Sequence, residues 1–204
     1  CLRVDASLGE GWFYEGAGIY RHVTLVSAHA VHVPQWGTFV HAQPGPGGAR
    51  VSIATEVAND GLIEARVTIR HEILAPDRAV VARVPDAIVS VAAEQRGDGK
   101  AEVVIANPSL WSIETPRLYR LVTSLHVDGA VVDRYETPFG IRSVRFDAQQ
   151  GFFLNERPLK LLGTCNHHDH AGVGTAIPDR LNAWRVEQLQ AMGSNAWRSA
   201  HNPP

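Results

Sequence analysis

Cysteine is nearly absent: Cys1 and Cys165 are the only two in 204 residues. They supply neither a disulfide framework nor a cysteine-rich zinc site, and their number leaves the compartment open. An excess of charge of either sign is lacking too. Nineteen Lys and Arg stand against 21 Asp and Glu, for a formal net charge of -2. That balance gives no electrostatic reason to expect nucleic acid or a membrane surface as partner. No apolar run approaches a membrane span in length, and no secretory leader opens the sequence. Cys1 is an unusual first residue, so a leader on a longer precursor stays open. Internal repeats and low-complexity segments are missing as well. What remains is 45% hydrophobic and 20% charged, the composition of a globular protein of one to two domains.

Short β-rich runs separated by turn residues fill the first two-thirds. Gly11 to Pro34 reads as strands, with Tyr20, His22–Leu25 and Val31–Val33 suited to a half-buried pleated surface and Gly16 and Gly18 breaking the run. Pro44-Gly45-Pro46-Gly47-Gly48 predicts a loop between strands. Val51, Ile53, Thr55 and Val57 then alternate at period two, and after an Asn59-Asp60-Gly61 turn Ile63, Ala65, Val67, Ile69 and His71 continue the alternation. Further turns are predicted at Pro76-Asp77, Arg96-Gly97-Asp98-Gly99 and Asp128-Gly129. This pattern argues for a mainly β protein, an antiparallel β-sandwich of immunoglobulin-like outline at residues 26–142.

The pattern changes after Phe146. Leu159–Leu162 reads as an apolar strand ending at Gly163, and Asp179 to Met192 as a helix with Leu181, Trp184, Leu189 and Met192 on one face. Asp179 is placed to cap its start, and Gly193 suits the residue past its end. A strand at Asn195–Ser199 follows. Strand, helix, strand is a βαβ unit of the kind that builds parallel sheets. A single unit cannot cover its own faces, so these residues are expected to seek another surface, the sandwich or a second copy.

In parallel α/β barrels functional groups gather at the carboxyl ends of strands. Two polar clusters fall at such ends: Asn166-His167-His168-Asp169-His170 after the first strand, and Arg198 to His201 at the second. The His-His-Asp-His run invites a metal, but neighbouring side chains of an extended segment alternate in direction, so at most two point the same way. No metal or cofactor is therefore assigned. Arg198 offers a rigid fork of donors for carboxylates or sugar hydroxyls, or for buttressing a buried carboxylate. His201 is a ligand contact or an ordinary loop histidine. Cys165, with no orienting base, reads as a buried inert thiol. Trp12, Trp36, Trp111, Trp184 and Trp197 have the shape to stack on sugar rings, though most tryptophans in such positions are core; Trp111 and Trp184 are not assigned to substrate.

Several segments together resemble glycoside hydrolase family two, the family of β-galactosidases, β-glucuronidases and β-mannosidases. Gly18-Ile19-Tyr20-Arg21 with His22-Val23-Thr24-Leu25 resembles the end of its amino-terminal jelly roll. Asn107-Pro108, Leu110-Trp111-Ser112, Pro116 and Leu118-Tyr119 resemble its central sandwich, and Phe139-Gly140-Ile141-Arg142 the end of that sandwich. Gly151-Phe152-Phe153-Leu154-Asn155 and Lys160-Leu161-Leu162-Gly163 are similar to its lead-in to a catalytic TIM barrel. The run from Asn195 to Pro204 is similar to the second barrel strand. The matches stand in the family's order over nearly the whole chain.

The resemblance implies a jelly-roll end at 1–25, a sandwich at 26–142 and the start of a barrel at 143–204. It also implies an internal fragment of a retaining β-glycosidase, with β-galactosides as the expected substrates. His168 matches a sugar-contacting histidine, Arg198 an arginine beside the catalytic carboxylates, and His201 a second sugar-contacting histidine. Asn166 and Asp169 complete the expected substrate-binding set. The family's two catalytic glutamates lie on later strands, so no catalytic residue is expected within the chain. Retaining hydrolysis needs carboxyl groups about 5–5.5 Å apart, and Asp169 is the only carboxylate in either cluster; Glu156, Asp179 and Glu187 lie elsewhere. The chain alone is therefore expected to be inactive. The expected partner is a β-glycoside, with a homo-oligomer formed through the truncated barrel surface as a further expectation. The rival reading is a non-catalytic sandwich that binds carbohydrate or protein, or merely orients its neighbours.

Overall fold

The computed structural model describes residues 1–5, 7 and 18–201. The strand expected from Gly11 to Ala17, with Trp12 and Gly16, and the closing Asn202-Pro203-Pro204 lie outside the described residues. The chain divides into two compact units, 26–159 and 1–25 with 160–204.

The larger unit is mainly β. Its strands are β1 (Val31–His32), β2 (Thr38–Gly45), β3 (Gly48–Asn59), β4 (Ala65–Leu74), β5 (Val80–Val91), β6 (Gln95–Ile105), β7 (Tyr119–Val127) and β8 (Ala130–Phe139). In the first sheet β3 is central, with β6 along one edge and β2 then β1 along the other. The second sheet runs β5-β4-β7-β8, all antiparallel. Strands β9 (Val144–Asp147), β10 (Gly151–Leu154) and β11 (Arg157–Pro158) form a small meander after them.

Period-two alternation sets which face each sheet buries. Val51, Ile53, Thr55 and Val57 of β3 are buried, as are Ala65, Val67, Ile69, His71 and Ile73 of β4, while Ile63 stays exposed before the strand. These inward residues meet in two clusters drawn from both sheets, one around Val51, Ile53, Ile73 and Leu121, the other around Val57, Val67, Ile69 and Leu125. Removing such side chains from water is the main force holding the sheets together. Asn59, also buried, donates to the Val91 carbonyl at 3.0 Å and accepts from the Gly61 N–H at 3.0 Å, which ties the Asn59-Asp60-Gly61 turn to the second sheet. Pro85 sits where the β4–β5 register slips, on an edge strand that tolerates a missing donor.

Four sequence expectations need correction. Arg96-Gly97-Asp98-Gly99 is no turn but the first part of β6, with Gly97 opposite Val57 and Gly99 opposite Thr55. The glycines are there for closeness: a Cβ on Gly99 would stand 2.3 Å from Ile69 Cδ1, and one on Gly97 3.0 Å from Val91 Cγ2. Residues 18–29, including Tyr20 and His22–Leu25, form no strand; Leu25 and Val26 lie exposed. Trp36 is not core; it is 82% exposed. Nor is Leu159–Leu162 a strand. Asp128-Gly129 is the expected turn, with both residues at positive φ (51° and 82°) as a two-residue hairpin of this type requires.

The segment from Asn107 to Tyr119 makes a corner. The Tyr119 hydroxyl accepts from the Ser109 N–H at 2.8 Å, and the Trp111 N–H donates to the Ile141 carbonyl at 2.8 Å. Asn155, at φ 50°, donates to the Trp111 carbonyl at 2.9 Å and accepts from the Ser143 N–H at 3.0 Å. One side chain thus fastens the corner and the β9–β10 hairpin together.

Candidate functional site

The smaller unit holds both polar clusters. Its regular elements are β12 (Gly163–Asn166), α1 (Asp179–Ala191) and β13 (Ala196–Ser199). The strands pair in parallel, with Cys165 opposite Arg198 and Asn166 opposite Ser199. This is the βαβ unit anticipated from the sequence, shifted at its first strand. The apolar Leu159–Leu162 run stops short of the ladder because the Asn195 side chain takes its backbone groups. Asn195 Oδ1 accepts from the Leu162 N–H at 2.7 Å, and Nδ2 donates to the Lys160 carbonyl at 3.0 Å. Pairing proper starts at Gly163, where a Cβ would lie 2.3 Å from the Ala196 carbonyl oxygen.

The helix also departs from expectation. Pro178 occupies the position before its first turn, and no side chain caps it. Asp179, one residue later, faces His22 Nε2 at 3.0 Å, an exposed pair of small energetic weight. Its negative charge in the first turn still suits the helix dipole. Gly193 takes φ 92° just past the end and donates to the Gln190 carbonyl at 2.9 Å, as expected of that position. None of the expected stripe is buried: Leu181 and Leu189 are half-covered, and Trp184 and Met192 are exposed. Arg180 and Glu187 pair along the helix at 2.8 Å, which holds the guanidinium above its usual value.

At the carboxyl ends of β12 and β13 the two clusters meet. The Ala200 N–H donates to the Asn166 carbonyl at 3.0 Å, extending the ladder by one step, and the rings of His167 and His201 stand 5.3 Å apart. His201 takes φ 55°, so the chain turns sharply there. His168 is buried at 5% exposure; Asn166 and Asp169 are half-buried, and Arg198 and His201 are exposed. The Asn166 amide folds back on its own strand, donating to the Thr164 carbonyl at 2.9 Å and accepting from the Thr164 hydroxyl at 3.2 Å. Arg185 reaches from the helix to the His167 carbonyl at 2.8 Å and lies over the Trp197 ring, which fixes the loop that follows β12. His170 and Gly174 close that loop with a two-way backbone bridge, and the His170 ring meets Trp184 edge-on at 6.2 Å.

Cys165 is exposed rather than buried, because alternation along β12 turns it to the open face, where its sulfur accepts from Arg198 Nη1 at 2.6 Å. The Cys165–Arg198 and His167–His201 contacts were missed in the sequence; counting parity back from each strand end would have found the first. Among the described residues no three His, Cys, Asp or Glu side chains gather as a metal ion would require. The strand ends therefore offer a guanidinium fork, imidazoles able to donate or accept, and the Asp169 carboxylate. Such a set has the donors and acceptors to hydrogen-bond a polyhydroxylated ligand, and by itself it holds no pair of opposed carboxylates.

Comparison with known proteins gives this geometry a context. The family model described as glycosyl hydrolases family 2 matches residues 31–142, more than half of the chain. The β-galactosidase BoGH2A of Bacteroides ovatus is 36% identical over 100% of this chain and 24% of its own length. A β-glucuronidase of Formosa agariphila is 30% identical over 94% of this chain and 21% of its own. Among solved structures, a glycosyl hydrolase family 2 member from Bacteroides cellulosilyticus superposes with a TM-score of 0.83 at 36% identity, covering 94% of this chain and 26% of that one. A Bacteroides uniformis β-glucuronidase gives 0.80 at 30% identity, covering 86% and 22%. The chain thus spans about a quarter or less of the relatives it matches.

Proposed function

Because the chain belongs to glycosyl hydrolase family 2, we propose that it is part of a retaining β-glycosidase, and that the ends of β12 and β13 form one wall of its sugar subsite. Residues 26–142 are then an immunoglobulin-like sandwich, 1–25 the end of a jelly roll, and 143–204 the beginning of a TIM barrel. The observation that supports this reading is the parallel β12–β13 pair: Arg198 lies in the second strand, and past the strand ends the His167 and His201 rings stand 5.3 Å apart, with His168 next in sequence. Asn166 holds the end of its strand, and Asp169 adds an acceptor. Their work is to hold hydroxyl groups and to orient an acidic neighbour.

Bond cleavage in such an enzyme takes two carboxyl groups. One protonates the glycosidic oxygen while the other attacks the anomeric carbon; water then releases the covalent sugar. Among the described residues of the smaller unit, Asp179 is engaged with His22 and Glu187 with Arg180. Only Asp169 stands at the strand ends, so the cleaving pair comes from chain outside these 204 residues. β-Galactosides are the preferred substrates, in line with a β-galactosidase relative that matches the chain throughout. The β-glucuronidase relatives make β-glucuronides the competing class. An autonomous binding module would have no use for a βαβ unit with uncovered faces.

The test sets the 204-residue chain beside a full-length protein containing it, both given chromogenic β-galactoside, β-glucuronide and β-mannoside. Turnover of the galactoside by the full-length protein alone is the expected result. Turnover by the short chain would refute the missing-carboxylate argument, and silence from both would refute the enzyme reading.

A further inference from the structure

The outer edge of the first sheet is interrupted between β1 and β2. β1 ends at His32 and β2 begins at Thr38, yet both pair with the same edge of β3. Between them the Gly37 N–H donates to the Pro34 carbonyl at 2.9 Å, and the Gly37 carbonyl accepts from the Glu56 N–H at 2.7 Å. Gln35 and Trp36 are thereby the two central residues of a tight turn that leaves the ladder. Trp36 sits at φ 63°, where bulky residues are disfavoured. A turn with no other duty would carry Gly or Asn there. The indole is 82% exposed, so its burial in this unit does not offset the strain.

A second aromatic stands beside it. Phe39 projects from the outer face of β2 at 68% exposure, directly across from Ala54 of β3. Two shallow cavities of about 320 and 460 Å³ adjoin here and share Phe39 and Ala54. The first is lined by Trp36 with Gln35, Glu56 and Asp98. The second runs on past His41 to Lys100 and Glu102. Two exposed rings beside the small residues Ser52, Ala54 and Ala101 make a shelf with apolar patches, and the rim supplies both donors and acceptors. A docking protein would have to desolvate that charged rim, whereas interface cores are depleted of charge. A pyranose has the opposite needs, a C–H face to lay on a ring and hydroxyls to hydrogen-bond around it. Glu56 and Glu102 are matched by Arg96 and Arg50, and Asp98 and Lys100 carry opposite charges, so the rim favours neither an anion nor a cation.

We infer that this face is a carbohydrate-binding surface that takes a neutral β-linked oligosaccharide, one sugar ring on Trp36 and another on Phe39. The choice of saccharide rests on the proposed function; the shelf itself does not. The probe is a β-1,4-linked galactotetraose, titrated into the 204-residue chain and followed by proton–nitrogen NMR. Shifts at the Trp36 indole, Ala54 and Lys100 are expected, with Trp36→Gly and Phe39→Ala each binding roughly tenfold more weakly or worse. Trp36→Gly relieves the φ strain, so its unfolding midpoint should hold or rise while binding falls, which separates lost contact from lost fold. Shifts confined to residues 163–201 would overturn the inference and leave the proposed function standing. Saccharide-independent shifts at Trp36 and Phe39 that grow with protein concentration would overturn it in favour of contact between copies. Saturable binding at Trp36, with a full-length protein that hydrolyses nothing, would uphold the shelf and remove the enzyme reading instead.

Discussion

His71 gives the larger unit a stability that depends on pH in a direction fixed by its surroundings. The imidazole is 1% exposed on the inward face of β4, with Nδ1 3.0 Å from the Thr123 hydroxyl. Burial pushes it down to about 4, and Asp86 opposes that shift only in part. The folded state therefore prefers the neutral ring, while the unfolded chain binds a proton near the ordinary value of about 6.5. The stabilisation is complete above about pH 6.5 and is lost as pH falls from there towards 4. Integrating over that window gives a loss of about 2 kcal/mol by pH 5 and about 3 kcal/mol by pH 4. Asp86 itself, held below the usual carboxylate range by its Arg70 hydrogen bond, titrates lower and does not confuse the comparison. Urea unfolding followed by circular dichroism at about pH 7.5 and 5 should show the midpoint falling by about 1 M. His71→Gln keeps a hydrogen-bonding group near Thr123 without a titration, and its midpoint should move far less. Equal falls in both proteins, or none in the parent sequence, would refute the reasoning.

Four other outcomes follow from the same contacts. Gly99→Ala drives a methyl into Ile69 and should cost about 1–3 kcal/mol, read as a lower thermal midpoint; an unchanged midpoint would mean that Ile69 has somewhere else to go. Asn155→Ala removes both side-chain bonds of the corner and should cost about 1–3 kcal/mol in urea unfolding, with no loss contradicting the clamp. In the full-length protein, Arg198→Ala should lower kcat/KM roughly ten- to a hundredfold while the circular dichroism spectrum stays the same; full activity would remove Arg198 from the subsite. Leu161, Leu162 and Met192 are exposed, so sedimentation of the 204-residue chain should reveal association that Leu162→Glu weakens, and a strict monomer at high concentration would count against it.

The parts of the fold that follow local rules could be read in the sequence. Val51 to Val57 and Ala65 to His71 alternate because one face of each strand is buried, and that period is written in residue type. Asp128-Gly129 and Gly193 were legible because positive φ selects a short list of residues. Gly97 and Gly99 were misread because their role is set across the core by Val91 and Ile69, contacts far away in sequence. Leu159–Leu162 was misread for a similar reason: its residues have strand propensity, but Asn195 claims their backbone groups. Of the candidate site, the meeting of two polar strand ends was legible from the βαβ order alone. That His167 rather than His168 lies against the His201 ring depends on how the loop turns after Asn166, and nothing local encodes it.

Under the proposed function, a retaining cleavage is carried out by carboxylates outside these 204 residues, upon a sugar held partly by residues within them. The most direct measurement is NMR of the first-formed sugar when the full-length protein hydrolyses a β-galactoside. Release of the β-anomer first, slowly mutarotating afterwards, is the predicted result. An α-anomer appearing first would contradict the account.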